Sequence, residues 1–473
     1  MKHILNKYLP VAVFGLALLA GCSKKFIEKT PFDSIPTSAA LSDASALQTA
    51  LNGVYSELRA VGQYGRDFPV LGDLQADNTY IESKNSGRYL SQYNYSVVAN
   101  DDVVLEMWQD SYQGILRANQ IINSKLSGND VAPIKAQAYA VRALLYFKLV
   151  NIYAKPYTQD TAALGVPLVL DYNPYNLPAR SSVGQVYTQI ISDLKTAFAS
   201  APAYTNSVNL SKYAIEGLLA RAYLYIGDNS DAKAAAVDVI TSSGFSLVTP
   251  ANYNAFWADP TIKSDQVEVM FEVDADVLNN NGFDDLGGIY NNGYQDIYAS
   301  SQLDSLYSAS DIRKSLLIPG VAKSGAAAFL VNKFPNAQNA DRDNLKVIRL
   351  AEVYLIAAEA SLPGDETSAK MYLNNLMKQR DPSFAGYNSS GAQLLSDIVT
   401  ERRKELAFEG DRLYDLNRLQ LPIMRSANPG AIPAGPGNIN LYIPFPDNRR
   451  VAPIPQSELL ANRNIAGQQN PGY

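Results

Sequence analysis

Two stretches far apart in the chain carry one pattern, and it limits the fold more than any other feature. Leu219-Ala220 is followed by Tyr223, then by Gly227-Asp228, then by Ala232 and Ala236. Leu350-Ala351 is followed by Tyr354, then by the turn Pro363-Gly364-Asp365 and a periodic run from Ser368 to Arg380. A large–small pair and an aromatic on one helix, a turn, and small residues on the next describe two helices that cross closely. Such a pair cannot bury its apolar face alone, so neighbours have to stack on it. A third unit between Gln137 and Phe198 fits more loosely.

These offsets match a tetratricopeptide helix pair. Two matches show helical pairs and do not by themselves establish a long regular solenoid. Helical spacing runs through Leu47, Leu51, Val54, Tyr55 and Leu58, with Thr37 and Ser38 before it as caps. It returns from Val104 to Leu126 and from Pro133 to Tyr153. Ser181-Ser182-Val183-Gly184-Gln185 has the form of a capping start for a helix reaching Phe198. Residues 60–100 lose the period and read as a long structured loop. Val267 to Val273 alternates like a strand, and VLNNNGFDDLGGIYNNGYQDIYASSQ follows without a period. Loops of that size are uncommon in compact domains unless they are functional or mobile. Residues 421–455 are Pro-rich and irregular. The expected division is a leader at 1–21 and a mature protein at 22–473. Within the latter, 22–250 carries helix pairs, 251–345 variable loops and 346–473 a C-terminal part.

Cys22 is the only cysteine and His3 the only histidine in 473 residues. Lys2 and Lys7 flank the start of an apolar run, Val11 to Leu19, that falls short of the about 20 residues a membrane span needs. It reads as a secretory signal. Leu19-Ala20-Gly21-Cys22 resembles a bacterial lipobox, which makes Cys22 the lipidated first residue of the mature chain. That chain then has no histidine and one blocked cysteine. Ser-His-Asp and Cys-His triads, HExxH sites and Cys/His zinc are excluded, as is a disulfide framework. No cofactor and no metal are expected, and a net charge of −6 argues against a nucleic-acid partner.

Further motifs, taken in order, resemble one family, the SusD/RagB outer-membrane lipoproteins. The lipobox precedes Phe26-Ile27-Glu28-Lys29-Thr30-Pro31. Trp108, Tyr112, Ile115 and Arg117-Ala118-Asn119 follow, then Arg142-Ala143, Tyr146-Phe147, Tyr153 and Pro156. Tyr307, Asp311 and Arg313 come after the aperiodic segment. Ile348 to Ala360 and Glu401 to Arg412 are close matches, and the chain ends with Pro453-Ile454-Pro455 and Asn470-Pro471-Gly472-Tyr473. The resemblance implies a mostly α fold of tetratricopeptide-like helix pairs, with long irregular loops and a few short strands. It implies a lipid-anchored outer-membrane protein facing the cell exterior, a lid over a SusC-like TonB-dependent transporter. It implies capture of oligosaccharides, or of peptides in some members, without enzymatic activity. A protein scaffold with no small ligand is the alternative that helix pairs alone allow.

Sugars are held by ring faces together with carboxylates, amides and guanidinium groups. Two segments have that composition. LGDLQADNTYIESKNSGRYLSQYNY offers Asp73, Asp77, Asn78, Tyr80, Arg88, Tyr89 and Tyr93, and the later loop offers Tyr290, Asn292, Tyr294 and Tyr298. The bland alternative is that the tyrosines pack their loops onto the core. Trp108 reads as core. The charge-dense ERRKELAFEGDRLYDLNR resembles a carboxylate site, but arginines within i+3 reach make it an ion-pair network instead, with Arg402 near Glu405 and Arg412 and Arg418 near Asp415. Glu352 and Glu359 are expected to join similar networks. Asp274-x-Asp276 hints at calcium, yet Leu278 and Asn279 occupy the positions where an EF-hand needs an oxygen ligand and a glycine.

Overall fold

The computed structural model describes residues 41–173 and 175–473. The lipobox, Cys22, the 26–31 motif and the caps Thr37 and Ser38 lie outside the described residues. The helical array consists of α1 (Ala44–Glu57), α2 (Asp102–Ile122), α3 (Ala132–Tyr153), α4 (Val183–Ser200), α5 (Lys212–Ile226), α6 (Asn229–Ser242), α7 (Leu350–Ser361), α8 (Glu366–Met377) and α9 (Gly391–Glu405). From α2 to α8 each helix packs against the next, and α9 packs on α7. Packing runs directly from α6 to α7, although residues 243–349 separate them in sequence. The intervening segment leaves the stack unbroken.

Local chemistry sets the helix ends. Asp43 caps α1 by accepting from Ala46 N at 2.9 Å. At α4 the capping box is complete, with Ser182 Oγ accepting from Gln185 N and Gln185 Oε1 from Ser182 N. In the α5–α6 pair, Gly227 takes φ +77°, a left-handed position that closes α5, and Asp228 caps α6. Ala232 and Ala236 are fully buried at the crossing. The α7–α8 pair turns through Gly364 at φ +116°, and Asp365 caps α8.

Strands arise where the period was lost. β1 (Thr79–Ile81), β2 (Val269–Val273), β3 (Ile297–Ala299), β4 (Leu317–Val321), β5 (Ala327–Val331) and β6 (Leu345–Arg349) form an antiparallel sheet in the order β1-β3-β5-β4 and a separate β2–β6 pair. The β2 strand agrees with the alternation at 267–273. Residues 60–100 correct the expectation of a loop, since they hold a helix at Asp67–Leu74, β1 and a short helix at Leu90–Tyr93. β1 and β3, of three residues each, are too short to show a period, and each has its partner far along the chain. One hydrophobic cluster extends from Leu47 to Ile465 and includes Trp108.

The 401–418 stretch is a buried ion-pair network. Glu405 accepts from Arg349 at 2.9 Å, Arg380 at 3.0 Å and Arg313 at 3.2 Å. Glu268 bridges Arg349 and Arg380, Glu409 bridges Arg349 and Lys333, and Glu401 and Asp311 each bind Arg313 and Lys404. Burial opposes ionisation of Glu405, but Arg380, Arg349 and Arg313 outweigh it and hold the carboxyl well below the usual range. The expected pairing differs in detail. Arg402 binds Asp415 at 3.2 Å instead of Glu405, and Arg412 reaches Asp77 at 2.8 Å. Arg418 does bind Asp415, and also Glu359, while Glu352 pairs with Arg221.

Removing one partner of such a network leaves uncompensated buried charge. Glu405→Gln is expected to cost about 3–5 kcal/mol of stability, read from urea unfolding. A second test concerns Glu216 on α5. Burial and the nearby Asp238 carboxylate on α6 raise its carboxyl from 4.5 to about 8. The folded chain therefore holds a proton that the unfolded chain loses, and stability falls as pH rises from the unfolded value through the folded one. The melting temperature should drop between about pH 4.5 and about pH 8, and Glu216→Gln should reduce that drop.

Candidate functional site

The two tyrosine- and asparagine-rich segments meet. β1 pairs with β3 so that Tyr80 lies opposite Tyr298, and beyond the pair the turn at 83–88 lies against the loop at 291–296. Asp296, fully buried, pins that turn by accepting from Ser86 N at 3.0 Å and from the Ser86 hydroxyl. Lys323 binds the same carboxylate at 3.0 Å and donates to the Tyr294 carbonyl at 2.7 Å.

The junction carries a stacked pair. The Arg88 guanidinium carbon lies 3.5 Å from the centroid of the Tyr294 ring, and its Nη1 donates to Ser86 Oγ at 2.8 Å. Arg88 Nη2 lies 3.6 Å from Asp284, which also binds Arg66 at 2.7 Å. Arg88 and Tyr294 are half-buried, Asn292 is exposed and Phe283 is 47% exposed. The result is a surface with an aromatic plane, a cation, an amide and a carboxylate within one loop junction. Planar groups with polar edges present a stacking face and hydrogen-bonding groups together.

The other sequence-derived candidates are elsewhere. Tyr290 is fully buried, stacked on Phe334 at 6.1 Å and edge-on to Phe408 at 5.7 Å. Tyr80 and Tyr298 stack on each other at 6.0 Å beneath the surface. Tyr89 is buried against Asp67 and Arg66, and Tyr93 lies under the Arg425 guanidinium at 4.7 Å. These rings have no face open to solvent, which corrects their reading as ligand contacts. Asp73 and Asn78 are also buried, joined at 2.6 Å, with Arg403 donating to Asn78 and Gly410 N to Asp73. Burial raises the Asp73 carboxyl to about 7 against those hydrogen bonds. Asp77 is buried and bound by Arg412 and Arg403. Of the candidates within the described residues, Arg88, Asn292 and Tyr294 are brought together at the surface.

Phe283, Asp284 and Lys323 were missed. Phe283-Asp284 lies inside the quoted aperiodic segment, where an aromatic beside a carboxylate is a readable signal. Lys323 carries no such signal, because only the fold brings it to Asp296. The Asp274–Asp276 segment forms no metal cage. Asp276 accepts from Leu278 N and Asn279 N of its own loop, and among the described residues no group of three or more His, Cys, Asp or Glu side chains could hold a metal.

The stacked helix pairs, the small inserted sheet and its loop junction define a helical binding-protein fold. The family described as "Starch-binding associating with outer membrane" matches residues 25–224, and the SusD family matches residues 323–473. The chain is 27% identical to SusD-like protein P2 of Formosa agariphila, over 99% of this chain and 100% of the relative. A crystal structure of a SusD superfamily protein from Bacteroides thetaiotaomicron superposes with a TM-score of 0.83 at 30% identity, covering 90% of this chain and 99% of that one. A laminarin-binding SusD-like protein shares the fold at 23% identity with a TM-score of 0.69, over 91% and 99% of the two chains. The chain belongs to the SusD family.

Burial separates the two tyrosines of the later loop. Tyr290→Ala is expected to cost about 3–5 kcal/mol, as large aromatic truncations in cores do. Tyr294→Ala, at a half-buried ring on the edge of the core, should cost less, about 1–2 kcal/mol. Urea denaturation of both variants checks the difference.

Proposed function

We propose that this protein is a nutrient-capture lipoprotein of the outer membrane. Lipid on Cys22 tethers it, the Arg88–Tyr294 face binds an oligosaccharide, and a SusC-like TonB-dependent transporter receives the cargo. The observation that carries the reading is the convergence of two distant loops on one stacked guanidinium–tyrosine pair. A sugar ring laid on Tyr294 or Phe283 would find donors on Arg88 and Asn292 and an acceptor on Asp284. Membership of a family described as starch-binding, and the fold shared with a protein named for laminarin binding, support a glycan as the ligand.

The protein acts by binding and not as an enzyme. The carboxylates of the 401–405 stretch, the one that resembles a glycosidase site in sequence, are already engaged. Glu405 is ionised among three arginines and has no proton to donate, and Glu401 is held by Arg313 and Lys404. No helix of the described residues is long and apolar enough to cross a membrane, so attachment in this reading rests on the lipid. Two acyl chains on one residue suffice for stable anchoring.

Calorimetric titration of residues 23–473, the mature chain without its lipidated Cys22, with laminarin- and starch-derived oligosaccharides tests the reading. Saturable binding should weaken about tenfold or more in Arg88→Ala and Tyr294→Ala, with melting temperatures close to wild type. Unchanged affinity in both variants would remove this face from consideration. Binding of peptides in place of glycans would move the protein to peptide capture.

A further inference from the structure

A groove of about 530 Å³ runs between α2, the segment at 167–178 and the short helix at Gln456–Ala461. Its lining contains no residue of the 83–88 turn or the 283–296 loop, and no Lys, Arg or His. Trp108 and Tyr112 stand one turn apart on α2, with ring centroids 4.9 Å apart. Trp108 is buried, and the half-buried Tyr112 is the ring that keeps surface open to the groove. The Tyr112 hydroxyl donates to the Pro167 carbonyl at 2.7 Å, which fixes the ring in place. Gln109 and Gln113, on the same helix and in the same lining, are exposed.

Glu458 reaches the groove from the C-terminal helix and is half-buried. The Trp108 indole N–H lies against its carboxylate, and no cation among the described residues acts on it. Burial raises this carboxyl, the direction expected of an acid without a counter-charge. Asp110, the other acid of the lining, accepts from Gly62 N at 3.2 Å and is raised to about 6 by burial and the carboxylates of Glu106, Glu57 and Asp67. An ionised carboxylate only accepts hydrogen bonds. An aromatic face attracts positive charge. Both features favour a ligand that brings donors and a cation. A neutral ring would leave the charge on Glu458 uncompensated, and an acidic one would add to it. The volume falls within the about 300–1,000 Å³ of small-molecule pockets, and exposed amides beside an aromatic ring suit the hydroxyls of a sugar.

We propose that this groove binds an amine-bearing sugar. The ammonium donates to Glu458, the ring lies against Tyr112, and hydroxyls bond to Gln109 and Gln113. The site is independent of the Arg88–Tyr294 face and does not rest on the capture reading.

Calorimetric titration of the same chain, just below neutral pH and at constant ionic strength, tests it with disaccharides of one skeleton. The β-linked glucosamine dimer carries amines, cellobiose carries hydroxyls at the same positions, and the N-acetylated dimer carries acetamides. Lysine amide supplies an ammonium without a sugar ring. Saturable binding of the glucosamine dimer is expected, at least about tenfold tighter than the other three. Glu458→Gln keeps an oxygen for the Trp108 N–H, so the melting temperature should stay near wild type while that preference disappears. In the unmodified protein, raising the pH until the amine is neutral should remove it as well. Cellobiose, the acetylated dimer or lysine amide binding as tightly as the amine, no saturable binding, a preference that survives in Glu458→Gln, or one that survives deprotonation of the amine would each overturn the assignment.

Discussion

Glu405 is the point on which the other parts are held. Its carboxylate accepts from Arg313, Arg349 and Arg380, which come from the turn before β4, the end of β6 and the residues after α8. The helical array and the inserted segment meet at these three arginines. Continuum reasoning makes a buried ion pair a weak source of net stability but a costly one to break. Its value here is positional. Five carboxylates (Glu268, Asp311, Glu401, Glu405, Glu409) face five cations (Arg313, Lys333, Arg349, Arg380, Lys404), so no charge in the set lacks an opposite neighbour.

From that set the linkage runs outward to the surface. Arg403 and Arg412, adjoining the network in sequence, bind Asp77, and Arg403 also binds Asn78 at the start of β1. Gly410 N donates to Asp73, and Gly410 approaches Gly72 so closely that a Cβ on Gly72 would meet its carbonyl. β1 is thereby fixed to the C-terminal motif. β1 in turn orders β3, whose preceding residue Asp296 anchors Ser86 and Lys323. Arg88 and Tyr294, half-buried, are the surface end of this series. The motif at 401–412 and the stacked pair therefore belong to one construction, although no ligand-facing side chain comes from the motif.

The sequence was most readable where local rules decide the outcome. The α5–α6 pair, the Ser182 capping box and β2 follow from turn glycines, caps and periods that lie within a few residues of one another. That Glu401 to Arg418 form ion pairs was also readable, because charge density alternates in sign there. Which arginine meets which carboxylate was not, since Arg313, Arg349 and Arg380 reach Glu405 from distant positions. The tyrosines misled for a related reason. Tyr carries both an apolar body and a polar tip, so composition alone suits a wet site and a core equally. Tyr153, Tyr146 and Tyr307 use the tip internally, donating to the carbonyls of Val104, Val169 and Lys404. Tyr290 and Tyr298 are buried with hydroxyls unpartnered among the described residues, an arrangement no residue-level rule anticipates.

What distinguishes the Arg88–Tyr294 pair from those buried rings is that its geometry is held from behind. Lys323 grips the Tyr294 carbonyl, Ser86 fixes Arg88, and Asp284 shares its charge between Arg88 and Arg66. A platform ordered before the ligand arrives does not spend binding energy on ordering side chains, a cost of about 0.5–1.5 kcal/mol for each flexible side chain immobilised. The loops that carry it are irregular in sequence yet held together by the buried Asp296 carboxylate, which binds Ser86 of one and Lys323 behind the other. Variation at the exposed positions beside that anchor, Asn292 and Phe283 among them, can therefore change what the face recognises without disturbing the fold that presents it.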